Sequence, residues 1–312
     1  MFVPCSVCHK VTKNKCYYCD KVYYCSDKCR KSDFKFHRES CSKINSSLIE
    51  SNLTMLIPKN VYQTWNTKAL PYSMKRNRDS LMTRNPDMNF FLFDDKDCAN
   101  FIKTNFPENV FLTFCSLLPG AYRADLWRYC VLYIHGGIYM DIKFNPLIPL
   151  HFFLSEEIFV LDQPYKNSFY SVEDDLKWRN HPNYINDILR KNVYKNHMGI
   201  YNGFLVTQPK NKFLKQCIDS IVRHVQQNYY GHNSLYPTGP GLLGDIFFHQ
   251  DYIEKLKQTK YFLSRQGKHI LNKHQVVLSI YPSYRSEQKS FGTPHYSHLW
   301  DQRKIYKRIR KK

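Results

Sequence analysis

Two carboxylates and two cations stand in one stretch of the chain, at spacings suited to chemistry on an anion. In "AYRADLWRYCVLYIHGGIYMDIKF", Asp125 and Arg128 are three residues apart, and Asp141 and Lys143 flank an isoleucine. Residues three apart share a helix face, while Leu126, Cys130 and Tyr133 mark another. Asp125 and Arg128 therefore make either an ordinary surface ion pair or an acid and a base directed into a polar pocket. Asp141 and Lys143 end an apolar strand that follows two glycines, which looks like the delivery end of a phosphate-binding site. A second constellation lies at the amino end, where seven of the 11 cysteines fall before residue 42. Cys5 with Cys8, Cys16 with Cys19, Cys25 with Cys29, and His37 with Cys41 form four ligand pairs. Each pair can present two ligands to one tetrahedral zinc, and eight ligands suffice for two closed structural sites. A disulfide framework is the alternative, but no secretory signal accompanies it. Cys98, Cys115, Cys130 and Cys217 have no paired spacing and are expected to be buried apolar residues.

The elements that must position these residues alternate. "IPKNVYQTW" and "NFFLFDD" read as strands, "DKDCANFIKTNF" as a helix, and residues 120 to 135 as a helix running into the strand that ends at Asp141. Such alternation predicts an α/β domain with a mostly parallel sheet. Farther on, "EEIFVLD" and "YNGFLVT" read as strands, and "NKFLKQCIDSIVRHVQQ" as an amphipathic helix through Phe213, Cys217, Ile221 and Val225. "TGPGLLGDIFFHQ" reads as a turn opening a helix. Ligands of open α/β sheets bind beyond the carboxyl ends of strands, which singles out Trp65, Asp94, Asp95, Asp141 and Lys143. The polar stretch "SKINSSLIESNLTM" reads as a linker or short helix, so residues 1–45 and 46–312 are expected as two modules.

Composition sets outer bounds. With 43% apolar and 23% charged residues the chain is ordinary globular material, and 16% aromatic residues suit pockets that stack on rings or sugars. No apolar run of about 18 residues and no signal core appear, which predicts a cytosol-like compartment. The net charge of +20 implies an anionic partner: nucleic acid, an acidic membrane surface or a phosphorylated small molecule. Solvated surface lysine and the basic tail "RKIYKRIRKK" account for part of it, and nucleic acid is the less favoured partner.

Residues 5 to 41, with "YYCSDKC" followed by a His and a last Cys, resemble the MYND zinc finger. That resemblance implies interleaved ligation, with Cys5, Cys8, Cys25 and Cys29 on one structural Zn²⁺ and Cys16, Cys19, His37 and Cys41 on the other. It also implies a protein partner, bound through a short, often proline-containing peptide. The stretch "AYRADLWRYCVLYIHGGIYMDIKF" resembles the sugar-binding region of family 32 glycosyltransferases bearing a DXD motif. The likeness continues through "IPKNVYQTW", "IYNGFLVTQPKNKFL", "TGPGLL" and "HYSHLW" in order.

That second resemblance implies a GT-A-like domain moving a hexose from a UDP- or GDP-linked sugar to a glycan or protein acceptor, with retention. It implies that Asp125 and Arg128 bond the donor sugar, that Trp65 packs on the nucleotide, and that Asp141 is the first carboxylate of the motif. Tyr139, Asn202, Thr238 and Gly239 are implied donor-site residues. His298 and Trp300 either close the nucleotide site or anchor the tail. Lys143 replaces the second Asp, which in the family binds Mn²⁺ or Mg²⁺ beside the diphosphate. Three outcomes stay open: Lys143 supplies the positive charge itself; a metal persists on Asp141, the phosphates and a ligand near His298 or Asp301; or catalysis is lost. A catalytically inactive adaptor acting through the finger, and a nucleic-acid-binding factor, are the alternatives. The abundance of Lys, Asn, Tyr and Phe beside such a finger points to a large DNA virus, and so to host cytoplasm or virion.

Overall fold

The computed structural model describes residues 57–162, 198–249, 251–264, 266–272, 275–290 and 295–307, with scattered positions between 3 and 33 and between 173 and 177. The chain falls into two compact units, Met1–Met55 and Leu56–Lys312. In the first, β1 (Val3–Pro4) pairs antiparallel with β2 (Val11–Thr12). Tyr24 is buried there; its hydroxyl donates to Asp33 Oδ2 at 2.7 Å and its carbonyl accepts from Thr12 Oγ1 at 3.2 Å. The stretch expected as a linker lies outside the described residues.

The second unit is built on a nine-stranded sheet. Its strands are β3 (Asn60–Thr64), β4 (Asn89–Phe93), β5 (Gly137–Met140), β6 (Phe144–Pro146), β7 (Ile158–Asp162), β8 (Gly199–Thr207), β9 (Phe262–Leu263), β10 (His269–Leu271) and β11 (Val276–Ile280). They lie in the order β4-β3-β5-β8-β7-β9-β10-β11-β6. Only β3 with β4, β3 with β5, and β7 with β9 pair in parallel; the other neighbours are antiparallel. The expected mostly parallel sheet is thus mixed. Helical crossovers join β3, β4 and β5, whereas β9, β10 and β11 follow one another through connections too short for a parallel return.

Helices cover both faces. On one side α1 (Tyr72–Arg84) and a 3-10 turn at Leu150–Ser155 bring Leu81 and Phe153 against Val61, Ile138, Val160 and Phe204. On the other, α2 (Asp95–Asn105), α3 (Glu108–Ser116), α4 (Gly120–His135), α5 (Lys212–Gln226) and α6 (Pro240–Phe248) contribute Ile102, Phe114, Trp127, Cys130, Cys217, Ile221 and Leu243. Asp94 starts α2 through a reciprocal capping box with Asp97, and Asn211 Oδ1 caps α5 by accepting from Phe213 and Leu214 N–H. Short helices α7 (Tyr252–Gln258), α8 (Tyr284–Ser290) and α9 (Tyr296–Asp301) complete the described part.

Of the four unpaired cysteines, Cys98, Cys130 and Cys217 are buried as expected, but Cys115 is exposed. It sits on the outer side of α3, whose buried face is set by Val110, Thr113, Phe114 and Ser116.

Candidate active site

The turn between α4 and β5 decides what meets what. Gly136 and Gly137 hold φ of 62° and 104°, and a Cβ on Gly137 would stand 2.6 Å from the Asn60 carbonyl oxygen. Only glycine allows the chain to reverse so tightly beside β3. Running back from this turn, Arg128 lies about 12 Å up the helix at 1.5 Å per residue, and Asp141 about 13 Å along the strand at 3.3 Å per residue. The two are therefore level at the carboxyl end of β5.

There the four residues form one cluster. Arg128 Nη2 lies 3.4 Å from Asp125 Oδ1, Arg128 Nη1 lies 3.6 Å from Asp141 Oδ1, and Lys143 Nζ lies 2.8 Å from Asp141 Oδ2. Asp125 and Arg128 are 8% and 6% exposed, so they are a buried pair and not the surface pair the spacing also allowed. The side chains of Asp141 and Lys143 are 21% and 20% exposed, forming the accessible end of the cluster. Two anions and two cations give no net charge, which is how a buried set of charges is tolerated.

Neutral donors fix each member. Thr238 Oγ1 donates to Asp125 Oδ2 at 2.8 Å, and Asn202 Nδ2 donates to Asp125 Oδ1 at 2.9 Å and to Tyr129 Oη at 2.8 Å. Arg128 Nη1 donates to the Asn202 carbonyl at 2.8 Å, and its guanidinium lies 4.3 Å above the Tyr139 ring. Tyr139 donates to Asp141 Oδ1 at 2.9 Å and Tyr201 to Asp141 Oδ2 at 3.3 Å. The Asp141 N–H donates to the Gly203 carbonyl at 2.8 Å, tying the strand end to β8. A Cβ on Gly239 would come within 3.3 Å of Asp125 Oδ2, so the start of α6 is drawn close to that carboxylate.

These surroundings set the protonation states. Burial pushes the Asp125 carboxyl up, against the pull of Arg128, Thr238 and Asn202. Burial acts the same way on Asp141, but Lys143 and Arg128 outweigh it and hold the carboxyl below its ordinary value. For Lys143 burial works to lower the ammonium, and Asp141 overcomes it, so the group is held as the cation. Burial raises the hydroxyls of Tyr129, Tyr139 and Tyr201 well above the ordinary tyrosine value, which keeps them neutral.

The other expected residues take varied places. Trp65 follows β3 and packs half-buried with Met74, Ile142 and Tyr281, beside the residue between Asp141 and Lys143. Trp300 Nε1 donates to the Tyr230 carbonyl at 2.7 Å, and the Arg303 guanidinium stacks 4.4 Å over Tyr230, so Trp300 anchors the carboxyl-terminal segment. His298 is exposed on α9. Asp94 is spent on capping α2, and Asp95 pairs with Arg123 at 2.9 Å. Sequence reasoning missed Tyr129 and Tyr201. Tyr201 immediately precedes Asn202 and Gly203, and that triplet was the available signal; Tyr129 carried none, lying on the helix outside both the charged pair and the apolar positions singled out.

In the first unit Cys8, Cys25 and Cys29 converge, with Sγ separations of 3.3, 3.6 and 3.6 Å. Thiolates around a tetrahedral zinc stand about 3.8 Å apart, so the three residues fit such an ion. Cys5, Cys16, Cys19, His37 and Cys41 lie outside the described residues. The accessible end of the other cluster does not fit a resident Mn²⁺ or Mg²⁺. Both Asp141 oxygens already accept from hydroxyls and face the cations Lys143 and Arg128.

Comparison with known proteins agrees with both constellations. Residues 5–41 match the MYND finger, and residues 71–160 match the glycosyltransferase sugar-binding region containing DXD motif. The chain is 38% identical over 95 residues to inositol phosphoceramide mannosyltransferase 3 of Schizosaccharomyces pombe, covering 30% of this chain and 26% of that protein. It is 27% identical over 143 residues to an uncharacterized glycosyltransferase of Acanthamoeba polyphaga mimivirus, covering 45% of this chain and 56% of the relative. Among solved structures it is similar to PaToxG glycosyltransferase, at a TM-score of 0.44 and 15% identity over 88% of this chain and 94% of that one. The chain spans about a quarter of the length of the first curated mannosyltransferases it matches. Among the described residues no helix is long and apolar enough to cross a membrane. The chain thus carries a MYND finger at residues 5–41 and, at residues 71–160, a glycosyltransferase sugar-binding region of the DXD-motif class.

Proposed function

We propose that residues 46–312 form a GT-A-type glycosyltransferase that moves a hexose from a UDP- or GDP-linked sugar to a glycan or protein hydroxyl, with retention at the anomeric carbon. The observation that supports it most is the neutral cluster of Asp125, Arg128, Asp141 and Lys143 at the end of β5, inside the region matched by the sugar-binding family. In the transfer, the bond from the anomeric carbon to the diphosphate oxygen breaks and its electron pair leaves on the diphosphate. The acceptor oxygen bonds that carbon, and its proton passes to the departing phosphate. Positive charge grows on the sugar ring and negative charge on the phosphate, so fixed charges of both signs lower the barrier.

Within this scheme Asp125 and Arg128 hydrogen-bond sugar hydroxyls, with Asn202, Thr238 and Gly239 setting the Asp125 carboxylate. Trp65 packs against the nucleotide base. Asp141, held by Tyr139 and Tyr201, contacts the ribose or sugar at the accessible end of the cluster. No carboxylate of the cluster is disengaged enough to attack carbon, which favours the leaving phosphate as the proton acceptor. The finger, with two structural zinc ions, docks the enzyme on a protein partner in a cytosol-like compartment. NMR of the hexose released when water replaces the acceptor tests the scheme. The sugar should emerge in the donor's anomeric form before mutarotation; the inverted anomer would overturn retention.

A further inference from the structure

Lys143 stands where the DXD pattern has its second acid, and its surroundings suit a phosphate ligand better than a metal. Its ammonium lies 2.8 Å from Asp141 Oδ2, and 5.4 and 5.5 Å from the centres of the Phe144 and Tyr201 rings. Among the described residues that ion pair uses one of three N–H donors, and the side chain is still 20% exposed. The backbone is fixed as well: Lys143 C=O accepts from Tyr281 N–H at 3.1 Å, and Phe144 N–H donates to Asp141 C=O at 3.0 Å. Asp141 offers a metal little, since Tyr139, Tyr201, Lys143 and Arg128 surround its two oxygens. A divalent ion bound there would lie against the ammonium of Lys143, and like charges at that distance repel strongly. A diphosphate, in contrast, can accept from the N–H donors of the Lys143 ammonium that Asp141 leaves over, at the accessible end of the cluster.

We propose that this site binds the diphosphate of its donor without a divalent metal, and that the Lys143 ammonium supplies the positive charge in the metal's place. The inference rests on reading the cluster as a nucleotide-sugar site. When the anomeric bond breaks, the electron pair that leaves on the diphosphate oxygen is stabilised by the ammonium's hydrogen bonds, and Lys143 keeps its proton. Asp141 then positions the lysine instead of ligating an ion.

Calorimetry on the full-length protein decides it, with zinc left in place and only the buffer stripped of metal. UDP and GDP are titrated with and without Mn²⁺ against wild type, Lys143→Ala and Lys143→Asp, each checked for folding by tryptophan fluorescence. Wild type should bind one nucleoside diphosphate with less than about threefold change on adding Mn²⁺. Lys143→Ala should bind it about 10- to 100-fold more weakly, the worth of one charged hydrogen bond. Lys143→Asp should regain affinity only when Mn²⁺ is present. Wild-type binding that rises about tenfold or more with Mn²⁺, or Lys143→Ala binding as well as wild type, overturns the inference. Folded wild type that binds neither nucleotide in either buffer overturns the donor-site reading on which it stands.

Discussion

Asp125→Asn removes one charge from a buried neutral cluster and should destabilise the second unit by about 3–4 kcal/mol. At 3.4 Å the Asp125 and Arg128 pair contributes about 5 kcal/mol at an effective dielectric of about 20. Relief of repulsion between Asp125 and Asp141, and of the burial that pushes the Asp125 carboxyl up, returns part of that, and what is left is the cost of Arg128 losing a buried partner. Hydrogen bonding changes little, because the new amide oxygen still accepts from Asn202 and its NH₂ can donate to Thr238 Oγ1, which turns to accept. The loss is thus mainly electrostatic. All four tryptophans, Trp65, Trp127, Trp178 and Trp300, lie beyond residue 55, so tryptophan fluorescence, excited selectively, follows this unit alone. For a unit of this size the midpoint should fall by about 6–15 °C. The double variant Asp125→Asn/Arg128→Met leaves Asp141 and Lys143 balanced, and its cost should be at least about 1 kcal/mol below the sum of the singles. A midpoint unchanged in Asp125→Asn, or strict additivity in the cycle, would refute the view of these charges as one balanced set.

Other expectations follow from the same geometry. A Cβ on Gly203 would stand 2.6 Å from Asp141 Oδ2 and closer still to Tyr201 Oη, so Gly203→Ala should displace the carboxylate and cut donor turnover about tenfold or more at a folding cost of about 1–3 kcal/mol. Turnover measured beside the fluorescence midpoint checks it. His224 Nδ1 lies 2.9 Å from the Pro237 carbonyl, next to Thr238, and burial holds its pKa below the ordinary value. The unfolded chain therefore takes that proton first, and stability should fall as pH drops through about 6.5, the unfolded value. Urea midpoints across pH should show a shallower fall in His224→Gln. Cys29→Ser should lower the zinc released on denaturation by about one ion per chain, because it breaks the described thiol trio. Colorimetric zinc titration reads that directly.

Local chemistry was far more legible in the sequence than sheet order. The helix at Gly120–His135 followed from its spacing, and its acid and base were placed on one face before their burial was known. What the spacing could not decide was surface pair or pocket, because that depends on a turn of two positive-φ glycines and on Asn202 and Thr238, which lie 77 and 113 residues from Asp125. The ligand pairs were legible because their spacing is local, but joining Cys8 to Cys25 and Cys29, 17 and 21 residues on, came from the likeness to the MYND finger. The mixed sheet was not: β7 and β8 pair antiparallel across a long intervening segment, and alternation of strand and helix carries no information about direction there. Cys115 misled for a similar reason, since an unpaired cysteine reads as apolar whichever way its helix is turned. Tyr201 was hidden because an aromatic residue in a strand suggests core, although its hydroxyl reaches Asp141.

Nucleoside-diphosphate release by the full-length protein across a panel of UDP- and GDP-sugars, beside Asp141→Asn and Arg128→Lys, tests the central claim most directly. The cluster predicts release from one donor or a small set, falling by about 100-fold or more in Asp141→Asn while the fluorescence midpoint shows that variant folded. Release that is equal in wild type and Asp141→Asn, or absent with every donor from folded wild type, would contradict it.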